Sequence, residues 1–304
     1  MNSITQVSFS TFSHSKRDDS TGIMNLDMKG LKLLVAVAST VLMTAVAKAQ
    51  TTISWTSISA GITYAEVDAP EKSFLNDSKL SILKIDPDSC NFELLCASEH
   101  QSITRTAPEW AEEFGMQVIV NAGMYDLTQK LKGRYFMRNY GHSNNPFFNK
   151  SGNAMMAFNP VTNTTKNFII ADLTCEDWDC LQPQYNSFCQ GMRMLTCDGT
   201  PLAWDKNPRQ SCSMLLAAID PAGSIYFIFC RSPYTHQAMI GFIKQLPFDL
   251  RTTIYLEGGP ETSFYINNGD QCIAKMGSYV FRTYPNDDNH QFWKLPNVIG
   301  IKSK

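Results

Sequence analysis

The residues of this chain best placed to do chemistry stand in one stretch, Ile254-Tyr255-Leu256-Glu257-Gly258-Gly259-Pro260-Glu261-Thr262-Ser263. An apolar strand runs straight into an acidic residue, two glycines and a proline. Glycine removes the side chain where backbone must turn sharply or let a ligand approach. A carboxylate held at that corner by a buried strand stands where general acid–base chemistry wants it. The plainer alternative is a tight turn whose Glu is merely solvated.

The elements before this corner say how it would be positioned. Ser224 to Cys230 reads as a fully buried strand and is followed by Arg231-Ser232-Pro233-Tyr234. From Thr235 to Leu246 the apolar residues Met239, Ile240, Ile243 and Leu246 fall at helical spacing, with Thr235 as N-cap and Pro247 as stop. Strand, helix, strand in that order predicts a right-handed crossover between two parallel strands. Arg231 and Glu257 then leave the sheet at the same edge, where ligands of open α/β sheets bind. The helix N-terminus at Thr235 lies there too and favours anions. One carboxylate, one guanidinium and a helix dipole suit a phosphate or an acidic sugar derivative.

The beginning of the chain reads as a targeting segment. Residues 1–27 are polar and without periodicity, as in an upstream extension of the gene model or a disordered tail. Residues 28–49 have the layout of a signal peptide: Met28-Lys29-Gly30-Leu31-Lys32, an apolar run from Leu33 to Ala47, and an Ala47-Lys48-Ala49 cleavage site. The run is too short to span a membrane comfortably. The expected mature chain, 50–304, is therefore exported, periplasmic or secreted, with no membrane span after cleavage. It keeps 21 basic and 25 acidic residues, a formal charge of −4, which is no footprint for nucleic acid. The size allows one large domain, and the sequence leaves the oligomeric state open.

All nine cysteines fall in that part, and an exported chain oxidises some of them. The odd count leaves at least one unpaired within the chain. Cys90 and Cys96 on one strand would stand ~20 Å apart, beyond disulfide reach. Cys175 with Cys180 and Cys189 with Cys197 are feasible pairs. No C-x-x-C pair or H-E-x-x-H is present, so disulfides and buried thiols are preferred to zinc; no metal ligand set and no cofactor is invoked.

Between leader and corner, Ile53 to Ile58 and Ile62 to Val67 read as strands around Gly61. Leu80 to Ile85 and Asn91 to Ala97 read as a hairpin. Thr106-Ala107-Pro108-Glu109 is a capping box opening a helix that Gly115 closes. Gln117 to Val120 is a buried strand ending at Asn121-Ala122-Gly123-Met124-Tyr125, a second strand-to-small-residue corner. Asn121 is either a turn residue or a ligand donor there. Gly133 to Lys150 reads as a polar loop holding Arg134, Tyr135, Arg138, Asn139, Tyr140, His142, Asn144 and Asn145, and its mix of aromatics and amides suits a carbohydrate. Hairpins are expected at 154–171, 214–230 and 263–275, a strand with Gln190 and Arg193 at 188–195, and a last strand at 297–301. Strands outnumber helices. The expected fold is α+β (mixed α/β): a single domain with a mixed, largely antiparallel β-sheet core, a β-α-β crossover and flanking helices.

Taken together, these pieces resemble the phosphodiester glycosidase family, over roughly Trp55 to Ile301. The landmarks are Trp55 to Gly61-Ile62-x-Tyr64, Val120-Asn121-Ala122-Gly123-Met124 (like the family's N-G-G-F), Ala218-Ile219-Asp220-x-x-Gly223, and Tyr255-Leu256-Glu257-Gly258-Gly259-Pro260-x-x-Ser263 (like L-D-G-G-x-S). Three departures stand out. Glu257 replaces the family's Asp, Met124 its aromatic, and an Arg before the 214–230 hairpin is missing, with Met214 near that place and Arg209 upstream. The resemblance implies hydrolysis of a sugar 1-phosphodiester on a carbohydrate or glycoconjugate partner. Glu257 would then be the general acid or base. Arg231, the Thr235 helix end and Arg193 would hold the phosphate. Asn121, Asn139, His142 and Gln190 would orient the sugar, with His142 the other residue of catalytic interest. Gly123, Ser232, Gly258, Gly259, Glu261 and Ser263 complete the expected binding surface, Glu261 being the nearby second carboxylate that a conventional glycosidase needs. A non-catalytic glycan-binding protein of the envelope is the competing reading. An acyl hydrolase or Cys protease has no G-x-S-x-G elbow to support it.

Overall fold

Antiparallel pairing of strands that are apolar on both faces builds this molecule. The computed structural model describes residues 53–204, 207 and 210–304; the expected extension, the signal peptide and Arg209 lie outside the described residues. Among the described residues, sixteen strands fall into two sheets. The larger has eleven: β1 (Thr56–Ser59), β2 (Ile62–Asp68), β3 (Lys79–Ile85), β6 (Met137–Asn139), β7 (His142–Asn145), β8 (Ala154–Pro160), β9 (Phe168–Asp172), β10 (Tyr185–Leu195), β11 (Cys212–Ile219), β12 (Ile225–Tyr234) and β13 (Thr253–Gly258). The smaller has five: β4 (Cys90–Cys96), β5 (Val118–Asn121), β14 (Ser263–Asn267), β15 (Cys272–Met276) and β16 (Asn297–Ser303). Their order is β1-β2-β3-β12-β11-β13-β10-β6-β7, with β8 also on β10 and β9 on β8, and β15-β14-β5-β16-β4.

Among the described residues, three α-helices accompany the sheets: α1 (Ala107–Phe114), the single turn α2 (Trp178–Leu181), and α3 (His236–Ile243). The alternation of side chains along each strand explains the layering. Phe227, Phe229, Leu215, Ala217, Ile254 and Leu256 point to one face and meet Phe92, Val118, Val120, Phe264 and Ile299 of the smaller sheet. Tyr226, Ile228, Leu216, Ala218 and Tyr255 point the other way and meet Met239, Ile240, Phe242 and Ile243 of α3. Behind the smaller sheet, Trp110 and Ala111 of α1 cover Ile119 and Val298. Each fully buried Phe or Ile contributes about 1.5–3 kcal/mol relative to exposure. The continuous apolar runs in sequence therefore reflect two covered faces.

Most elements lie where the sequence places them, with instructive differences. Strands dominate. Each named ladder is antiparallel. β12 and β13 run in the same direction, joined by α3, but both pair with β11 between them. The expected 80–97 hairpin does not form. β2 and β12 occupy both edges of β3, so the Pro87–Ser89 turn carries the chain into the other sheet, where β4 pairs β16. The 133–150 loop contains the β6–β7 hairpin and buries Asn144 and Asn145.

The disulfide also differs from both expected pairs. Cys175 is joined to Cys197, 6.6 Å apart at Cα, while Cys180 is exposed and free and Cys189 buried and free. The turn after β9 presents Cys175 to the chain leaving β10, where the Cys197 N–H donates to Asp172 Oδ2. Cys189 sits mid-strand in the core. Cys90 and Cys96, at opposite ends of β4, are both unpaired.

Candidate active site

The site begins with a fault in a ladder. Along β11 and β13, Leu216 faces Tyr255 and Leu215 faces Glu257, so Leu256 is an extra residue. Such a bulge re-aims the side chains beyond it. The chain then leaves the large sheet through a Gly259–Glu261 turn and enters the small one at Ser263. Both glycines are sterically required. A Cβ on Gly258 would lie 2.1 Å from the Tyr255 hydroxyl, and Gly259 has φ +79°.

The β5 corner locks this turn from the other sheet. Asn121 is buried; its Nδ2 donates to the Glu261 carbonyl (3.0 Å) and its Oδ1 accepts the Ser263 N–H (2.7 Å). The chain passes Gly123, at φ +144°, and reaches Tyr125, whose hydroxyl donates to Glu261 Oε1 at 3.3 Å. Asn121, Gly123, Glu257, Gly258, Gly259, Glu261 and Ser263 are thus assembled at one end of the sandwich.

Electrostatically the centre of this assembly is Glu257. Its side chain is buried. Oε1 accepts only the Gly258 N–H at 3.0 Å, and Oε2 has no partner among the described residues. Burial pushes its pKa up to about 8, the charge of Glu261 pushing the same way, while the Gly258 N–H and Arg134 pull it down. Burial also raises Glu261, opposed by its own backbone N–H and by Tyr125. Burial, with the two carboxylates, pushes the Tyr125 phenol well above its usual range. Glu257 can thus hold a proton near neutral pH, with the charge of Glu261 favouring that protonated form.

The other expected residues are placed differently. Arg231 pairs with Asp287 (2.7 Å) and donates to the Met276 and Asn289 carbonyls (2.8 and 2.9 Å). It lines a cleft of about 340 Å³ with Asp77, Lys79 and Lys275 that does not include Glu257. Lys79 and Lys275 are paired as well, with Asp68 and Glu66. Arg193 forms a buried ion pair with Asp172 and donates to Thr174. Gln190 accepts the Phe136 and Asn149 N–H groups and donates to the Asn149 and Gly152 carbonyls. Asn139 bridges Glu99 and Ser187, and Ser232 bridges the Ser78 N–H and Asp77. His142 shares a hydrogen bond with Ser98 at 2.9 Å, and Asn144 donates to the same hydroxyl. These side chains brace the frame, and among the described residues none of them hydrogen-bonds to Glu257, whose one partner is the Gly258 N–H.

Three features of the site are not marked by any motif in the sequence. In sequence Tyr125 is only the neighbour of Met124, and Arg134 only one polar residue of a loop. A third lies at the start of α3, where Thr235 Oγ1 accepts the Ala238 N–H at 3.1 Å. There the His236 ring stacks on Trp204 (4.6 Å) and stands edge-on to Tyr255 (4.6 Å). Burial holds His236 down at about 4, so it is neutral at working pH. The thiols of Cys96, Cys189 and Cys230 are all raised by burial, and Cys212 reaches about 12. None is a nucleophile.

Comparison with known proteins gives the chain its family. The family model described as Phosphodiester glycosidase matches residues 114–302, a span that takes in both corners. The chain belongs to the phosphodiester glycosidase family. No curated protein sequence matches the chain significantly. Among solved structures, the catalytic domain of zebrafish N-acetylglucosamine-1-phosphodiester alpha-N-acetylglucosaminidase, auto-inhibited by its pro-peptide, is similar with TM-score 0.54. Identity is 9%, over 83% of this chain and 88% of that one. A hypothetical protein from Synechocystis is similar with TM-score 0.51 and 11% identity, over 83% of this chain and 64% of that one. These similarities are of fold. The phosphodiester glycosidase frame is what places the Glu257 and Asn121 corners against each other.

Proposed function

We propose that this chain is an exported hydrolase that cleaves a sugar 1-phosphodiester on a glycan or glycoconjugate, with Glu257 as its proton donor. The observation that carries this reading is the buried Glu257 carboxyl, with one oxygen unpartnered among the described residues and the half-buried Glu261 nearby, where burial pushes the Glu257 pKa up to about 8. In the proposed reaction, water adds to C1 of the sugar as the C1–O bond to phosphate breaks. Glu257 gives its proton to the leaving phosphate oxygen, and Glu261, the more exposed carboxyl, takes one from the attacking water. The products are a free sugar and a phosphomonoester, and solvent exchange restores the two carboxyls.

The Cys175–Cys197 disulfide supports an oxidising compartment, and among the described residues no helix is long and apolar enough to cross a membrane. The test is turnover of a panel of sugar 1-phosphodiesters, aryl glycosides and phosphate esters by the 50–304 protein and by Glu257→Gln. Hydrolysis of the diesters by the wild type and a loss of about 10²–10⁴-fold in the variant is the expected result. A folded wild type that binds glycans without turning any over, unaffected by Glu257→Gln, would establish the glycan-binding reading instead.

A further inference from the structure

Arg134 stands apart from the other arginines. Arg105, Arg193, Arg231 and Arg251 are ion-paired, and Arg138 and Arg282 lie over aromatic rings. Arg134 alone among the described arginines has neither, and its side chain is exposed.

Its backbone, in contrast, is tightly fixed. The Gly133 N–H donates to Asn144 Oδ1 at 2.7 Å, and the Gly133 carbonyl accepts from Asn145 Nδ2 at 2.8 Å. Both asparagines are buried. The Arg134 N–H donates to the Met124 carbonyl at 2.8 Å, and Tyr125 and Gly133 form an antiparallel bridge. Burying amides costs free energy unless they are well bonded; here two of them hold the residue before an exposed guanidinium. The backbone that carries this guanidinium is thereby held beside Tyr125, whose hydroxyl touches Glu261, and the charge of Arg134 reaches Glu257.

We propose that Arg134 is the residue that selects a phosphodiester, its guanidinium taking the two non-bridging phosphate oxygens while Glu257 and Glu261 act on the sugar side. This rests on the reaction proposed above. A guanidinium presents paired donors in a planar fork matched to such oxygens. A diester is an anion throughout the working pH range, whereas Glu257 holds its proton and offers Arg134 no competing charge. The positive charge of Arg134 also bears on Glu257 and lowers its proton affinity, so bound phosphate would offset that charge and keep the acid protonated. This replaces Arg231, whose donors are taken up within the fold.

The experiment compares wild type, Arg134→Ala and Arg134→Lys on a sugar 1-phosphodiester and on the neutral aryl glycoside of the same sugar, with calorimetric binding of inorganic phosphate. In Arg134→Ala, kcat/KM for the diester falls about 100-fold or more, the aryl glycoside changes less than about threefold, and phosphate affinity drops at least about tenfold. Arg134→Lys recovers part of the diester rate, and the alkaline limb of the Arg134→Ala pH profile moves up. Equal losses on both substrates, or unchanged phosphate affinity, would overturn the assignment. A wild type that binds phosphate through Arg134 yet hydrolyses nothing would sink the proposed reaction and leave the anion site standing.

Discussion

Asp172 ends β9 and Glu257 stands one residue from the end of β13, and both carboxylates are buried, 1% and 7% exposed. Burial alone would raise both. Around Asp172, however, the Thr174 N–H and hydroxyl (2.9 and 2.7 Å), the Arg193 guanidinium and the Cys197 N–H (2.9 Å) all donate, and together they hold its pKa below the usual value. Glu257 has one N–H, one bare oxygen and a like-charged neighbour, and its pKa rises to about 8. Depth of burial therefore does not decide the proton state; the donors do. A satisfied carboxylate braces a frame. An unsatisfied one costs stability, a cost tolerated where the proton is used.

The comparison breaks most visibly at Glu257. Replacing it by Gln removes the transferable proton while keeping the shape, so activity on the diester falls by about 10²–10⁴-fold. Stability moves the other way. The folded state retains a proton that the unfolded chain loses from about pH 4.5, so native Glu257 lowers stability as pH rises from there to about 8, by ~1.4 kcal/mol per unit. Glu257→Gln is expected to unfold at higher denaturant than wild type at pH 8, and with little difference at pH 4.5; denaturant melts at both pH values check this.

Asp172→Ala should show the reverse pattern, leaving Arg193 buried without its partner. The loss is about 3–5 kcal/mol, with near-normal kcat for whatever remains folded. Because its pKa is depressed, the stabilisation from Asp172 is present at neutral pH and disappears as acid titrates it, the opposite pH trend to Glu257.

Glu261→Gln sharpens the pairing. It removes the like charge that raises Glu257, so the alkaline limb of the pH–rate profile moves below 8 while the rate drops. An unmoved limb would show that the carboxyls do not share a proton. Reducing or mutating Cys175–Cys197, which closes a loop of 22 residues, should cost about 3 kcal/mol, with activity preserved. The smallest effect is expected at Thr106, whose hydroxyl accepts the Glu109 N–H in the capping box; Thr106→Ala should lose about 1 kcal/mol in a thermal melt.

Much of this arrangement was legible in the sequence because local chemistry determined it. Thr106, Pro108 and Gly115 delimit α1, and the runs at 214–219 and 225–230 pair as β11 and β12. The Glu257 corner announced itself because two glycines follow a buried strand. What was not legible depends on long-range partners. Nothing local tells that Arg231 meets Asp287 or that Arg193 meets Asp172, so two arginines that looked free for phosphate proved to be braces. Arg134 is hidden in the sequence for the converse reason. Its fixed backbone comes from Asn144 and Asn145, a hairpin away in sequence, within a stretch whose polarity reads as a loop. The hairpin expected at 80–97 failed on the same ground, since only the third dimension shows that both edges of β3 are occupied.

The most direct test of the account is the pH–rate profile of the 50–304 protein on a sugar 1-phosphodiester, measured beside Glu257→Gln. The account predicts wild-type hydrolysis that falls away above about pH 8, and a folded variant with at most about 1% of that rate at every pH. A Glu257→Gln protein that hydrolyses the diester at near wild-type rate, with the alkaline limb unchanged, would contradict it.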